Sequence, residues 1–227
     1  MTSRIAVLGA SGRVGSAICA RLRTRHEVVE IGRRADEAVA DLARRATDDA
    51  ELVINAAGLA HVERPTTADL ARLETANVEL PLALAEAALA RAIPMLHVSS
   101  VKAVADAPAP YGRSKYEGDR QLVTRFGSAF ADANLGLVIL RPLALLFPPL
   151  DAGRVSRLRF LRWWPRSLTP AVHLPVLAPR TFLNAVEDAV DELLAGRARG
   201  IVARDFGSSE RGTLRDVGDA MAGRAGT

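Results

Sequence analysis

One cysteine, Cys19, stands in 227 residues. No internal disulfide can form, which suits a reducing compartment and a cytoplasmic location. Cys19 adjoins Ile18 in a helical stretch and is expected to be a small buried apolar residue. Long apolar runs are also missing. The longest tract, Pro81–Ala90, is interrupted by Glu86, and none reaches the roughly 18 residues that span a bilayer. The chain passes from Arg4 straight into a strand-like run, so neither a leader peptide nor a membrane partner is expected. Dense basic runs are lacking as well, which argues against a nucleic-acid partner. The net charge of +4 is carried mostly by arginine, a mild excess that suits anionic ligands such as phosphates. Four histidines, His26, His61, His97 and His173, show no metal-ligand spacing, and no carboxylate cluster supports them. No metal is expected, and His97 reads as a core residue of a strand.

Against these absences stands an ordinary globular composition, 49% hydrophobic and 25% charged. The length suits one well-packed core rather than two large domains. Short, continuous apolar runs recur at "RIAVLG" (Arg4–Gly9), "HEVVEIG" (His26–Gly32), "ELVINAAG" (Glu51–Gly58), "PMLHVSS" (Pro94–Ser100) and "LGLVILRP" (Leu135–Pro142). Helical spacing separates them: Val14, Ile18 and Leu22, then Thr67–Arg91, then Ser114–Phe130. Asp36–Arg45 reads either as a helix or as a short strand at Val39–Leu42. Pro81 is tolerable only near a first turn or at a kink. Buried strands alternating with helices predict an α/β fold, a doubly wound parallel sheet covered on both faces. After Pro148–Pro149 the alternation weakens. Residues 1–149 are therefore expected to form the main α/β domain, and 150–227 a small, partly integrated lobe. That lobe holds an amphipathic helix at Phe182–Gly196, a late strand at "GIVARDF" and a short last helix at "TLRDVGDAMAG".

"GASGRVG" places Gly9, Gly12 and Gly15 between the first strand and first helix, with Ser11, Arg13 and Val14 between them. Such glycines let a backbone turn tightly and approach a pyrophosphate, which then faces the amides of a helix N-terminus. The strand–turn–helix context makes the pattern specific for a dinucleotide. At the end of the second strand an NAD-selective site places a carboxylate for the ribose hydroxyls. Here "EIGRR" offers Arg33 and Arg34, and Glu30 stands one alternation too early. Two guanidiniums suit a 2′-phosphate, so NADP is favoured over NAD.

"YGRSK" sets Tyr111 four residues before Lys115, one helical turn apart and on one face. By itself this pair is also what chance produces. Taken in order, Gly9-x-x-Gly12-x-x-Gly15, "NAAG" at Asn55–Gly58, "HVSSVKAV" at His97–Val104 and "YGRSK" resemble the extended short-chain dehydrogenase/reductase family. These are NAD(P)-dependent sugar epimerases, dehydratases and ketoreductases. The resemblance covers Arg4 to about Pro149, and more faintly the "RTFLNAVEDAVDELL" segment. It implies that Tyr111 is the general acid/base, and that Lys115 lowers its pKa and holds the nicotinamide ribose. Ser100 would steady the reacting oxygen, with Ser99 as rival. Asn77 matches a family asparagine near the active site. Ala56, Ala57 and Gly58 would pass the adenine-side ribose and phosphates, Asp41 and Leu42 would touch adenine, and Pro142 would sit by the nicotinamide. Arg180 would add a substrate phosphate contact. In this family the helix equivalent to Thr67–Arg91 often packs against a second subunit, so the resemblance leaves room for a homodimer.

Two departures narrow the chemistry. Where sugar 4,6-dehydratases carry Thr-Asp-Glu, this chain has Ser100, Val101 and Lys102, so the acid/base pair for eliminating water is missing. Fewer than eighty residues follow Pro149, short for a full nucleotide-sugar site. The expected activity is an NADP-dependent ketoreductase acting on a nucleotide-linked keto-sugar or related ketone. An NAD-dependent epimerase is the alternative, and a non-catalytic cofactor-sensing protein is the alternative of another class. "RVSRLRFLRWWPR" (Arg154–Arg166) reads either as a substrate lid or as a loop with packed arginine stems.

Overall fold

The computed structural model describes residues 2–59, 65–145, 173–206 and 211–213. They fall into two compact units: Met1–Arg141 with Val186–Asp205, and Pro142–Ala185 with Phe206–Thr227. The first unit is built on a six-stranded sheet of β1 (Arg4–Leu8), β2 (Glu27–Ile31), β3 (Leu52–Asn55), β4 (Met95–Val98), β5 (Gly136–Arg141) and β8 (Gly200–Asp205). Every pairing is parallel, in the order β2-β1-β3-β4-β5-β8. β3 and β4 are buried throughout, and β5 in all but its last residue. That is why their sequences read as continuous apolar runs rather than alternations. The doubly wound α/β expectation holds.

Helices fill the crossovers: α1 (Arg13–Leu22), α2 (Val39–Thr47), α3 (Thr67–Glu74), α4 (Leu80–Ala90) and α5 (Pro110–Asp132). Between α2 and a strand at Val39–Leu42 the structure chooses helix, because Leu42, Ala43, Ala46 and Thr47 share one buried face. Cys19 is buried on α1. Phe130, wholly buried near the end of α5, belongs to the core. Phe130→Ala is expected to cost about 3–5 kcal/mol, read from denaturant unfolding.

The stretch read as one helix over Thr67–Arg91 is three pieces. α3 opens on a capping box between Thr66 and Asp69, and a π-turn at Thr75–Glu79 joins it to α4. Pro81 lies in the first turn of α4. Its missing N–H leaves the Asn77 carbonyl without its usual partner four residues on. That carbonyl lies against Gly118 of α5, where a Cβ would come within 2.2 Å of it.

The second unit contains β6 (Ala144–Leu145), β7 (His173–Leu177) and β9 (Arg211–Thr213), with β6 parallel and β9 antiparallel to β7. Helix α6 (Pro179–Leu194) begins in this unit and ends in the first. In the second unit Phe182 packs on Phe206 with ring centroids 6.3 Å apart.

Candidate active site

β1 and β3 are neighbours, but the chain leaves them toward opposite sides of the sheet, to β2 and to β4. Beyond the carboxyl ends of such strands a parallel sheet opens a crevice. The glycine stretch sits there. Gly9 has φ +78°, a left-handed conformation, and a Cβ on it would meet Ala57 N at 2.6 Å. Gly12 N donates to Gly9 O at 2.9 Å, closing the turn, and Gly12 caps α1. A Cβ on Gly15 would lie 2.1 Å from Gly9 O. Loop and helix thus meet backbone to backbone. Neither a side-chain cap nor an acidic residue covers the first turn of α1, which begins with Arg13 and the half-buried Val14. Its amides could hold an anion.

A cavity of about 530 Å³ opens beside this loop. Its walls include Gly9, Ser11, Arg33, Leu42, Ala57 and Gly58. Ala56, half-buried, hands β3 to this turn, its N–H donating to Leu8 O. Arg33 donates from Nε and Nη2 to the Glu37 carbonyl, at 3.3 and 3.1 Å. A carbonyl partner leaves its charge whole. The Glu37 carboxylate is taken by Arg45 at 2.8 Å and by the Arg34 N–H at 2.9 Å. These contacts hold it at about 2, far below the ordinary carboxylate range. The Arg34 side chain is exposed and outside the cavity lining. Asp41 pairs with Arg44 on the exposed side of α2, while its neighbour Leu42 is buried and lines the cavity. Sequence reasoning missed Arg72 of α3, which also lines the cavity. Nothing in its local sequence marks it, since only the tertiary fold carries α3 to the crevice.

The second half of the site gathers around α5, which starts earlier than its apolar spacing predicts. Pro110 occupies the first turn after the extended Ala109, a position that needs no N–H donor. Tyr111 and Lys115 are therefore both helical and one turn apart. Gly112 lets the loop after β4 press close: a Cβ there would lie 2.6 Å from Lys102 O. This brings the Lys102 carbonyl onto the first turn of α5 at Gly112, next in sequence to Tyr111. The buried Ser100 accepts from Lys102 N at 3.2 Å, an interaction that leaves its own O–H to donate elsewhere. Ser99 instead donates its O–H to Asp119 at 2.9 Å.

Lys115 is 4% exposed. Its Nζ donates to Val98 O at 3.1 Å, and a Cβ on Gly58 would lie 3.0 Å from it. Burial pushes the ammonium down to about 8, against the charge of Asp119, which raises it. Asn77, in the π-turn, is also buried. It donates to Leu59 O and to Ser114 Oγ, and accepts from Leu59 N, so it buttresses the turn after Gly58 against α5.

Pro142 and Arg180 belong to the second unit, Pro142 buried and Arg180 exposed on the first turn of α6. The arginine–tryptophan stretch Arg154–Arg166, His61 and most of the expected last helix lie outside the described residues. Among the described residues, no three His, Cys, Asp or Glu side chains are grouped to hold a metal. No described helix is long and apolar enough to cross a membrane.

The model of the NAD dependent epimerase/dehydratase family matches residues 5–145. No curated protein sequence matches. Solved structures do. MoeE5 in complex with UDP-glucose and NAD is 20% identical, with a TM-score of 0.68 over 97% of this chain and 82% of that one. RMD from Pseudomonas aeruginosa complexed with NADPH is 22% identical, with a TM-score of 0.68 over 96% and 80%. The dTDP-4-dehydrorhamnose reductase of Bacillus anthracis str. Ames, in complex with NADP, is 13% identical, with a TM-score of 0.67 over 91% and 75%. At these identities the likeness establishes the fold.

Proposed function

The chain belongs to the NAD dependent epimerase/dehydratase family, and from that premise we propose that it is an NADP-dependent ketoreductase acting on a nucleotide-linked keto-sugar or a related ketone. One observation carries the reading. The Ala57–Gly58 turn that walls the dinucleotide-sized cavity also touches Lys115, one helical turn from Tyr111. The cavity wall and the lysine beside the proposed proton donor are thereby joined at Gly58.

The chain's residues fit a dinucleotide at the Gly9–Gly15 loop, where a Cβ on Gly9 or Gly15 would collide with backbone and push the loop off β3 or α1. The α1 amides would hold a pyrophosphate, and Arg33, its charge unspent on a carboxylate, would hold a 2′-phosphate. Ala57, Gly58 and Leu42 give the adenosine side a close, mostly apolar wall. When bound, the reduced nicotinamide supplies hydride to the carbonyl carbon. Tyr111 donates its phenolic proton to the carbonyl oxygen, and Ser100 donates a hydrogen bond to that same oxygen. The Lys115 cation stabilises the resulting phenolate. Asn77 holds the turn that positions Gly58 against Lys115.

A second reading, an NAD-dependent epimerase, draws support from Glu37. That carboxylate stands at the same edge of the crevice as Arg33, though Arg45 occupies it. A calorimetric titration separates the two, after checking by absorbance for cofactor carried through purification. NADPH is expected to bind at least about tenfold more tightly than NADH, and Arg33→Ala to remove most of that preference. Retained NAD, or a preference for NADH that Arg33→Ala leaves untouched, overturns the ketoreductase in favour of the epimerase. A protein that binds neither removes both enzymatic readings.

A further inference from the structure

Lys115 lies over a set of buried polar side chains that the mechanism above does not use. The parallel register sets Asn55 of β3 directly beside His97 of β4. Asn55 Oδ1 accepts from Ala57 N at 3.1 Å, which fixes the orientation of the amide. Its Nδ2 therefore faces His97 Nδ1, at 3.2 Å, and donates to it. The ring proton of a neutral imidazole must then sit on Nε2. That atom lies 3.7 Å from Asp119 Oδ1. Among the described residues neither of these two buried atoms has a hydrogen-bond partner. The other oxygen of Asp119 accepts from Ser99 Oγ at 2.9 Å and Arg141 Nε at 2.7 Å. His97 and Asp119 are 0% and 1% exposed, so water does not screen the pair.

We propose that His97, as its neutral Nε2–H tautomer, is a positioning residue that holds Asp119 as a carboxylate one helical turn below Lys115 and ties it through Asn55 to the Ala57–Gly58 turn of the cavity. The couple stands on this geometry alone. Its effect on turnover rests on the role proposed above for Lys115.

The electrostatics run the same way. Burial, then Lys115 and Arg141, keep His97 from taking a second proton. Burial raises the Asp119 carboxyl, while Arg141, Ser99 and Lys115 oppose that rise. The Nε2–H dipole, 3.7 Å from Oδ1 and so beyond hydrogen-bond distance, favours the charged form electrostatically. Lys115 is faced by Asp119 from its own helix and by His97 from β4, with the Val98 carbonyl and Asn77 as neutral dipoles, while Arg141 of β5 acts on it through Asp119. Of these, the Asp119 charge is what holds the ammonium up. Without it the Lys115 midpoint falls, and the cation is lost at lower pH.

The chain has two lysines, Lys102 and Lys115, so lysine-labelled protein gives two side-chain resonances, assigned with Lys102→Arg. No cofactor is needed. In the parent protein Lys115 is expected to titrate near 8. In His97→Leu and Asp119→Asn the midpoint drops by about one unit or more, and in His97→Gln, which retains an amide donor, it returns toward the parent's. Histidine-labelled parent protein should show His97 protonated at Nε2 and bare at Nδ1. A folded His97→Leu or Asp119→Asn with an unmoved Lys115 midpoint overturns the proposal. So does a His97 proton on Nδ1, a result that stands even where His97→Leu fails to fold. A parent protein that binds no dinucleotide removes the ketoreductase reading and leaves both resonances to decide the couple.

Discussion

Tyr111→Phe is expected to lower turnover by about 10²–10⁴-fold while leaving NADPH affinity and the folded state intact. The variant removes one oxygen. The phenyl ring still fills the half-buried place at the start of α5, so packing changes little. What disappears is the proton that the carbonyl oxygen takes as it becomes an alkoxide. Ser100 still offers a hydrogen bond to that oxygen, but an aliphatic hydroxyl is far too weak an acid to replace the phenol. Lys115, with Val98 O as acceptor and Gly58 alongside, keeps its place. Binding should therefore be nearly unchanged, and the loss should fall on the chemical step. Steady-state rates with a reducible ketone, paired with NADPH titration, check this. Full activity in Tyr111→Phe, or a loss confined to cofactor binding, removes Tyr111 from the role of acid.

The second large effect is on the cradle. Gly15→Ala places a methyl group 2.1 Å from Gly9 O, 2.6 Å from Gly9 C and 2.9 Å from Ala10 Cα. All three are backbone atoms, so no rotamer relieves the clash and α1 must move off the loop. Overpacking of this kind costs about 1–3 kcal/mol. The shift also turns the first α1 amides away from the pyrophosphate, and a loss of more than about tenfold in NADPH affinity is expected, near 1.4 kcal/mol for each factor of ten. Gly127→Ala is the control. It lies within α5 with nothing inside 4 Å of an added Cβ, and there alanine should stabilise by about 0.5–1 kcal/mol. Thermal unfolding and dinucleotide titration of the two variants should move in opposite and separable ways. A Gly15→Ala protein as stable and as tight-binding as the parent contradicts the packing of this loop.

Much of the fold was legible because continuous apolar strands and punctuating glycines are local signals. The Gly9–Gly15 stretch needs only three glycines at fixed offsets between strand and helix. Tyr111 and Lys115 needed only the helical repeat to share a face. The same repeat sets Asp119 one further turn along, where its neighbours were not visible: His97 comes from β4, Ser99 from the turn just after it and Arg141 from β5. Ser99 and Ser100 are neighbours in sequence and ambiguous there. In the fold Ser99 points its hydroxyl at Asp119, whereas Ser100 sits against the Lys102 N–H. The π-turn escaped because a helix bulge carries no periodicity of its own. Its cause is in part Pro81, whose missing N–H frees the carbonyl that Gly118 accommodates.

The sequence by itself determined most of the strand and helix order up to β5, the glycine loop at the first turn, the arginines at the end of β2 and the tyrosine–lysine pair, since each depends on contacts a few residues apart. Tertiary structure alone decided that Gly58 meets Lys115, that Arg72 reaches the cavity, and that His97 faces Asp119 in a dry interior. Parallel strands are joined only by long crossovers, so their register, and the buried charges it brings together, is set by packing between distant segments.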